Sequence, residues 1–108
     1  MTITVFLADD HAVVRDGLRY LLEAQPDLDV VGDAGDGRET VKLVDQRCPD
    51  IVIMDIAMPN LNGTEATKEI LKSVNYDIKI IALSMYADSF FVKKMFQVHE
   101  IKTSFLEK

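Results

Sequence analysis

A chain of 108 residues holds one domain and leaves no room for a second. Its 48% hydrophobic and 28% charged residues are those of an ordinary folded globular chain. The 18 acidic against 12 basic residues give a net charge of −6, which repels phosphate backbones and anionic lipid and argues against binding DNA or membrane alone. The single cysteine, Cys48, has no partner for an internal disulfide, which fits a reducing compartment. Apolar runs such as Ile51-Val52-Ile53-Met54 are far too short to span a bilayer, and no secretory signal opens the chain. The expectation is a small acidic domain of the cytoplasm.

Along the chain, short apolar runs alternate with helical patterns. Ile3 to Ala8 is an apolar run that stops at Asp9-Asp10, and it predicts a first strand. Val14, Leu18, Leu21 and Leu22 follow at helical spacing, with Gly17 among them at a cost of roughly 1 kcal/mol relative to Ala, so packing must hold this helix. Pro26 ends it, and Leu28 to Val31 reads as a second strand. Asp36-Gly37-Arg38-Glu39 resembles a capping box and opens a helix that turns Val41, Val44 and Leu43 inward. Ile51 to Asp55 is a strand apolar on both faces, a pattern of parallel sheets covered on both sides. After a loop from Pro59 to Gly63, Asn62 and Glu65 cap a third helix carrying Ala66, Ile70, Leu71 and Val74. Ile78 to Leu83 is a further strand ending at Ser84, and Asp88 opens a helix through Phe91, Val92, Met95 and Phe96. The order βαβαβαβα implies an α/β fold: a doubly wound parallel sheet with right-handed crossovers.

In such a sheet every strand ends at one edge, where ligands bind. Asp9 and Asp10 end the first strand, Asp55 the third and Ser84 the fourth. With strands one and three adjacent, as in the flavodoxin-like order, three carboxylates converge at the switch point. Their mutual repulsion calls for a hard dication, and Mg²⁺ with carboxylate, carbonyl and water ligands fits. The bland alternative is that each Asp caps the helix after its strand. A carboxylate beside a cation suggests phosphoryl chemistry through an aspartyl phosphate. Asp55, on the central strand before a flexible loop, is then the nucleophile, Asp9 and Asp10 are metal ligands, and the Ala57 carbonyl can complete the set. Ser84 can donate to a phosphoryl oxygen, although a lone Ser after a strand is more often a turn residue. His11 can tune the charge of the site, but the start of a helix is its safer reading. His99 reads as a surface or partly packed residue, and the methionines Met54, Met58, Met85 and Met95 as core or loop filler.

Leu7-Ala8-Asp9-Asp10-His11, Val52-Ile53-Met54-Asp55-Ile56-Ala57-Met58-Pro59-Asn60-Leu61-Asn62-Gly63 and Ile81-Ala82-Leu83-Ser84 together resemble the receiver domain of bacterial two-component response regulators. Val14-Arg15-Asp16-Gly17-Leu18 after the acidic pair is similar to the NarL/FixJ type, whose members usually continue into a LuxR-like helix-turn-helix. The resemblance implies a flavodoxin-like (CheY-like) sheet of strand order 2-1-3-4-(5). It implies Asp55 as phospho-acceptor, and Asp9, Asp10, Asp55 and the Ala57 carbonyl as Mg²⁺ ligands. Ser84 is the implied switch hydroxyl, a histidine kinase the phosphodonor, and DNA a partner only through an output domain absent from this chain.

The resemblance covers residues 1–97, the expected receiver core, and 98–108 form an atypical tail. The family's fifth helix is absent and its fifth strand doubtful. Phe105-Leu106-Glu107-Lys108 can stand in for the strand and its lysine, with Lys108 two residues late relative to Ser84. Alternatively the fourth helix runs on, since Phe91, Met95, Val98 and Phe105 keep a helical stripe broken at Lys102; this is the favoured reading. It leaves a sheet edge or a helix flank that invites a second copy. The leading function is therefore a phosphorylation-controlled signalling receiver, not an enzyme acting on a free substrate. A Mg²⁺-dependent phosphatase would need a second Asp two residues after the nucleophile, where Ala57 stands. A flavin site would need a phosphate-cradling loop rich in Ser, Thr and Gly after the first strand. The remaining alternative is an inactive, truncated receiver that serves as a protein-interaction module.

Overall fold

The computed structural model describes residues 2–83. The order is β1 (Ile3–Ala8), α1 (Ala12–Glu23), β2 (Leu28–Ala34), α2 (Gly37–Arg47), β3 (Ile51–Asp55), α3 (Gly63–Ser73) and β4 (Lys79–Leu83). The strands pair in parallel in the order β2-β1-β3-β4, as expected for a doubly wound sheet. The expected helix from Asp88, the fifth strand, the tail from 98 and the boundary at 97 lie outside the described residues.

Because side chains alternate across a strand, β1 serves two cores at once. Phe6 and Ala8 join Val52, Met54 and Ile80 beneath Val44 of α2 and Ala66 and Ile70 of α3. Val5 and Leu7 join Val30 on the other face, where Leu18 and Leu22 of α1 pack. That double burial is why the strands read as unbroken apolar runs. The predicted N-caps form: Asp36 accepts from the Glu39 N–H at 2.8 Å and Asn62 from the Glu65 N–H at 2.9 Å.

Four details differ from the sequence reading. β2 runs on to Ala34, because its ladder to β1 continues through Gly32, Asp33 and Ala34 opposite Phe6, Leu7 and Ala8. β4 starts at Lys79, one residue later than expected. Leu21 is 63% exposed, since α1 packs a narrow, half-buried stripe through Leu18 and Leu22 against the sheet and leaves Leu21 on its flank. Thr40 and Thr67, polar residues with no apolar signal, are fully buried in the layer where α2 meets α3. Each hydroxyl donates to a carbonyl one turn back along the chain, to Asp36 and Gly63 respectively, both at 2.7 Å, which satisfies the donor inside the layer.

Candidate functional site at the carboxyl end of the sheet

The neighbouring strands β1 and β3 end together, with Ala8 opposite Met54. This brings Asp9 and Asp10, which follow β1, against Asp55, the last residue of β3. Asp9 and Asp55 are only 2% and 3% exposed, whereas Asp10 faces solvent. One oxygen from each of the three carboxylates and a ring nitrogen of His11 lie within 4.8 Å of one another. Of the residues expected at the site, Asp9, Asp10 and Asp55 are thus brought together. Ala57 sits two residues beyond Asp55 and donates its N–H to Asp55 Oδ1 at 3.2 Å. Ser84 follows Leu83, the β4 residue paired with Asp55, but lies outside the described residues.

The loop after β3 is folded tightly around Asp55. The Gly63 N–H donates to the Ile56 carbonyl at 2.8 Å and the Leu61 N–H to that of Pro59 at 2.7 Å, with Asn60 in the left-handed region at φ 68°. Asn tolerates that conformation better than most side chains. A Cβ on Gly63 would lie 2.2 Å from the carbonyl oxygen of Asp55, so only glycine allows α3 to begin this close to it.

Burial and like charge decide the electrostatics. Burial pushes the Asp55 carboxyl from 3.8 up to about 6; the Ala57 N–H opposes this, while Asp9 and Asp10 add to it. Two buried oxygens, Asp9 Oδ2 and Asp55 Oδ2, have no hydrogen-bond partner among the described residues. Leaving such oxygens bare is costly, and a hard dication would satisfy both. The all-oxygen carboxylate set therefore fits Mg²⁺.

Two residues take a larger part than their sequence positions suggested. His11 is the N-cap of α1, as read, yet its ring makes no cap. Its Nδ1 instead stands 2.9 Å from Asp9 Oδ1 and 3.0 Å from Asp10 Oδ1, and these partners raise its pKa above 6.5, the Asp9 hydrogen bond first. Arg15 donates to the Asp9 carbonyl at 2.7 Å and lies 3.7 Å from Asp33. The available signal was its charge near the start of a helix, where the dipole disfavours a cation that lacks a partner.

Comparison with known proteins agrees with this geometry. Residues 5–108 match the response regulator receiver domain family. The transcriptional regulatory protein LiaR of Bacillus subtilis is 48% identical over 86 residues, covering 80% of this chain and 40% of LiaR. The chain spans about two fifths of the length of the curated relatives it matches. A LuxR-family response regulator from Aurantimonas superposes with a TM-score of 0.85 at 36% identity, over 92% of this chain and 70% of that one. The isolated receiver domain of RcsB from Salmonella enterica, solved in the presence of phosphomimetic BeF₃⁻, superposes with a TM-score of 0.82 at 25% identity, over 91% and 72%. With its fold, its acidic crevice and these relatives in agreement, the chain belongs to the receiver domains of two-component response regulators.

Proposed function

We propose that Asp55 accepts a phosphoryl group from a histidine kinase, that Asp9, Asp10, Asp55 and the Ala57 carbonyl hold Mg²⁺, and that Ser84 relays the change. The observation that carries this reading is Asp55 itself. It is buried at the end of a central strand, with Oδ1 tethered by the Ala57 N–H and Oδ2 without a hydrogen-bond partner among the described residues. With a cation held among the carboxylates, one oxygen of Asp55 would face it and the other would be left to attack phosphorus, from a position fixed by the strand end and the Ala57 N–H. Mg²⁺, when bound, neutralises the converging carboxylates and the incoming phosphoryl charge. Asp9 and Asp10 supply the negative charge that draws it in, and Arg15 steadies the Asp9 backbone from behind.

The modification is self-limited: the chain is its own substrate and releases phosphate from Asp55 rather than turning over a free ester. The RcsB receiver studied with a phosphomimetic and the transcriptional regulator LiaR support a phosphorylated receiver coupled to a DNA-binding output. In this reading the output lies outside the chain, the setting is the cytoplasm, and a second copy is a further partner, through a sheet edge or the residues after 97. Residues 1–97 then form the receiver core and 98–108 a tail.

The test is the intact mass of the chain after incubation with Mg²⁺ and a small phosphodonor. One phosphoryl group should be added, and none to Asp55→Asn or without metal. A folded chain that gains no mass would defeat the proposal and leave a partner-binding module.

A further inference from the structure

We propose that the outward face of α1 is an interface for a second copy of this chain, in which two α1 helices cross antiparallel at Gly17. This surface is separate from the sheet edge and from the acidic crevice, and the inference does not rest on the chemistry of Asp55.

The helix α1 lies over β1 and β2 and turns Leu18 and Leu22 toward the sheet, yet none of its residues is buried. Its opposite side is apolar as well. Val13 is 85% exposed, Tyr20 78% and Leu21 63%, and Gly17 and the C-cap Ala24 are exposed beside them. On a helix of 3.6 residues per turn these five positions fall within an arc of about 100°, the width of a face that packs against another element. Exposed apolar residues scattered singly are ordinary, but a stripe running the length of a helix marks a contact surface.

Gly17, in the middle of this stripe, is unlike the other glycines. At Gly32, Gly35, Gly37 and Gly63 a Cβ would lie 3.0 Å or less from a neighbouring atom, whereas at Gly17 it would meet nothing within 4 Å. No glycine among the described residues has a positive φ, so the backbone does not require one at position 17 either. Glycine is less favourable than alanine inside a helix, and nothing in the described residues offsets that cost. What glycine does provide is a gap in the stripe, through which a second helix can approach to the short end of the usual interaxial range of about 8–10 Å.

The stripe is complementary to itself, which selects a second copy as its occupant. Gly17 stands at the middle of Ala12–Glu23, with Val13 about one turn before it and Leu21 about one turn after. An antiparallel copy crossing at Gly17 therefore sets Val13 against Leu21 of the partner subunit, and Leu21 against Val13 of the partner subunit, with the two glycines on the two-fold axis. The antiparallel sense also lays the positive end of each helix dipole beside the negative end of the other. Charge opposes the pairing, because Asp16 borders the stripe and each copy carries a net charge of −6, so salt that screens these charges should strengthen it. With three large apolar side chains from each copy the contact is small, and a dissociation constant on the order of 100 µM is expected.

The experiment is sedimentation equilibrium of the 108-residue chain in about 0.5 M salt, from about 10 µM to about 1 mM. The mass should rise from that of one copy toward that of two. Val13→Ser and Leu21→Ser change exposed side chains, so both variants should fold, and each should weaken association about tenfold or more. Gly17→Ala should act in opposite directions on fold and assembly. It should raise the unfolding temperature of the dilute chain, because alanine is the better helix former, and yet weaken association about threefold or more. Ile3→Ser removes an apolar side chain that is 40% exposed outside the stripe, and it should leave association unchanged. A chain that stays single up to about 1 mM overturns the proposal, whether residues after Leu83 or a helix of another protein take the stripe instead. A dimer that Val13→Ser and Leu21→Ser leave intact, and so is joined through another surface, overturns it too, as does a Gly17→Ala chain that associates as tightly as the wild type.

Discussion

Asp55 carries a carboxylate in surroundings that oppose its charge, through burial first and then through Asp9 and Asp10. The raised folded pKa means that the folded, metal-free chain holds this proton more tightly than the unfolded one. Stability is therefore greatest below the unfolded value of 3.8 and is lost as pH rises to about 6. The full shift corresponds to about 2–3 kcal/mol. Asp55→Asn, neutral at every pH, should stabilise the metal-free chain at pH 7 by about 1–2 kcal/mol and flatten the dependence between pH 4 and 6. Urea unfolding across that range without metal checks both. Arg15 acts on the same site through the backbone, by its bond to the Asp9 carbonyl. Arg15→Met keeps most of the side-chain volume but removes that bond. It should destabilise the fold by about 1–2 kcal/mol and weaken metal binding, with intrinsic fluorescence and calorimetry as readouts.

Among the elements, the starts of α2 and α3 determine how closely the β3 loop is held. Gly37 opens α2 against Leu61, and Gly63 opens α3 against the backbone of Asp55. A Cβ would lie 1.8 Å from the Leu61 carbonyl oxygen in the first case and 2.2 Å from that of Asp55 in the second, and neither neighbour is a flexible side-chain tip. Gly63→Ala must therefore push α3 away from Asp55. It should cost more than about 3 kcal/mol and reduce phosphorylation of the fraction that remains folded. Thermal unfolding beside phosphate incorporation separates the two effects.

Across the whole molecule, the two ends of the sheet are built differently. At the amino end, Asp50 Oδ2 accepts from the Thr4 N–H and hydroxyl at 2.9 and 3.0 Å, and the Tyr76 hydroxyl donates to the Pro49 carbonyl at 2.9 Å. These polar groups satisfy one another and hold β1 to β3. At the carboxyl end, Asp9 and Asp55 keep oxygens that nothing in the described residues satisfies. A dication at that end should therefore tighten the whole fold. Saturating Mg²⁺, at about 100 times its dissociation constant, should raise unfolding free energy by about 2.7 kcal/mol. The gain should be much smaller in Asp55→Asn, where the repulsion is already relieved. Denaturation with and without Mg²⁺ in both chains measures the difference.

The apolar runs Ile3–Ala8 and Ile51–Asp55, each stopping at a carboxylate, were enough to predict a parallel sheet with an acidic end, and Asp36 and Asn62 marked two helix starts. Those features are local: strand periodicity and cap chemistry act over a few residues, so they are written in the chain order itself. What β1 pairs with is not local, and only the β2-β1-β3-β4 order brings Asp9 and Asp10 to Asp55. The burial of Thr40 and Thr67, the exposure of Leu21, the bond from Arg15 to Asp9 and the turn of His11 into the carboxylates likewise depend on neighbours distant in sequence or on which way a ring points. By itself the sequence determined which carboxylates end the strands. The tertiary structure decided their spacing, and with it the charge they bear, because Coulomb repulsion and desolvation depend on distance and burial rather than on order along the chain.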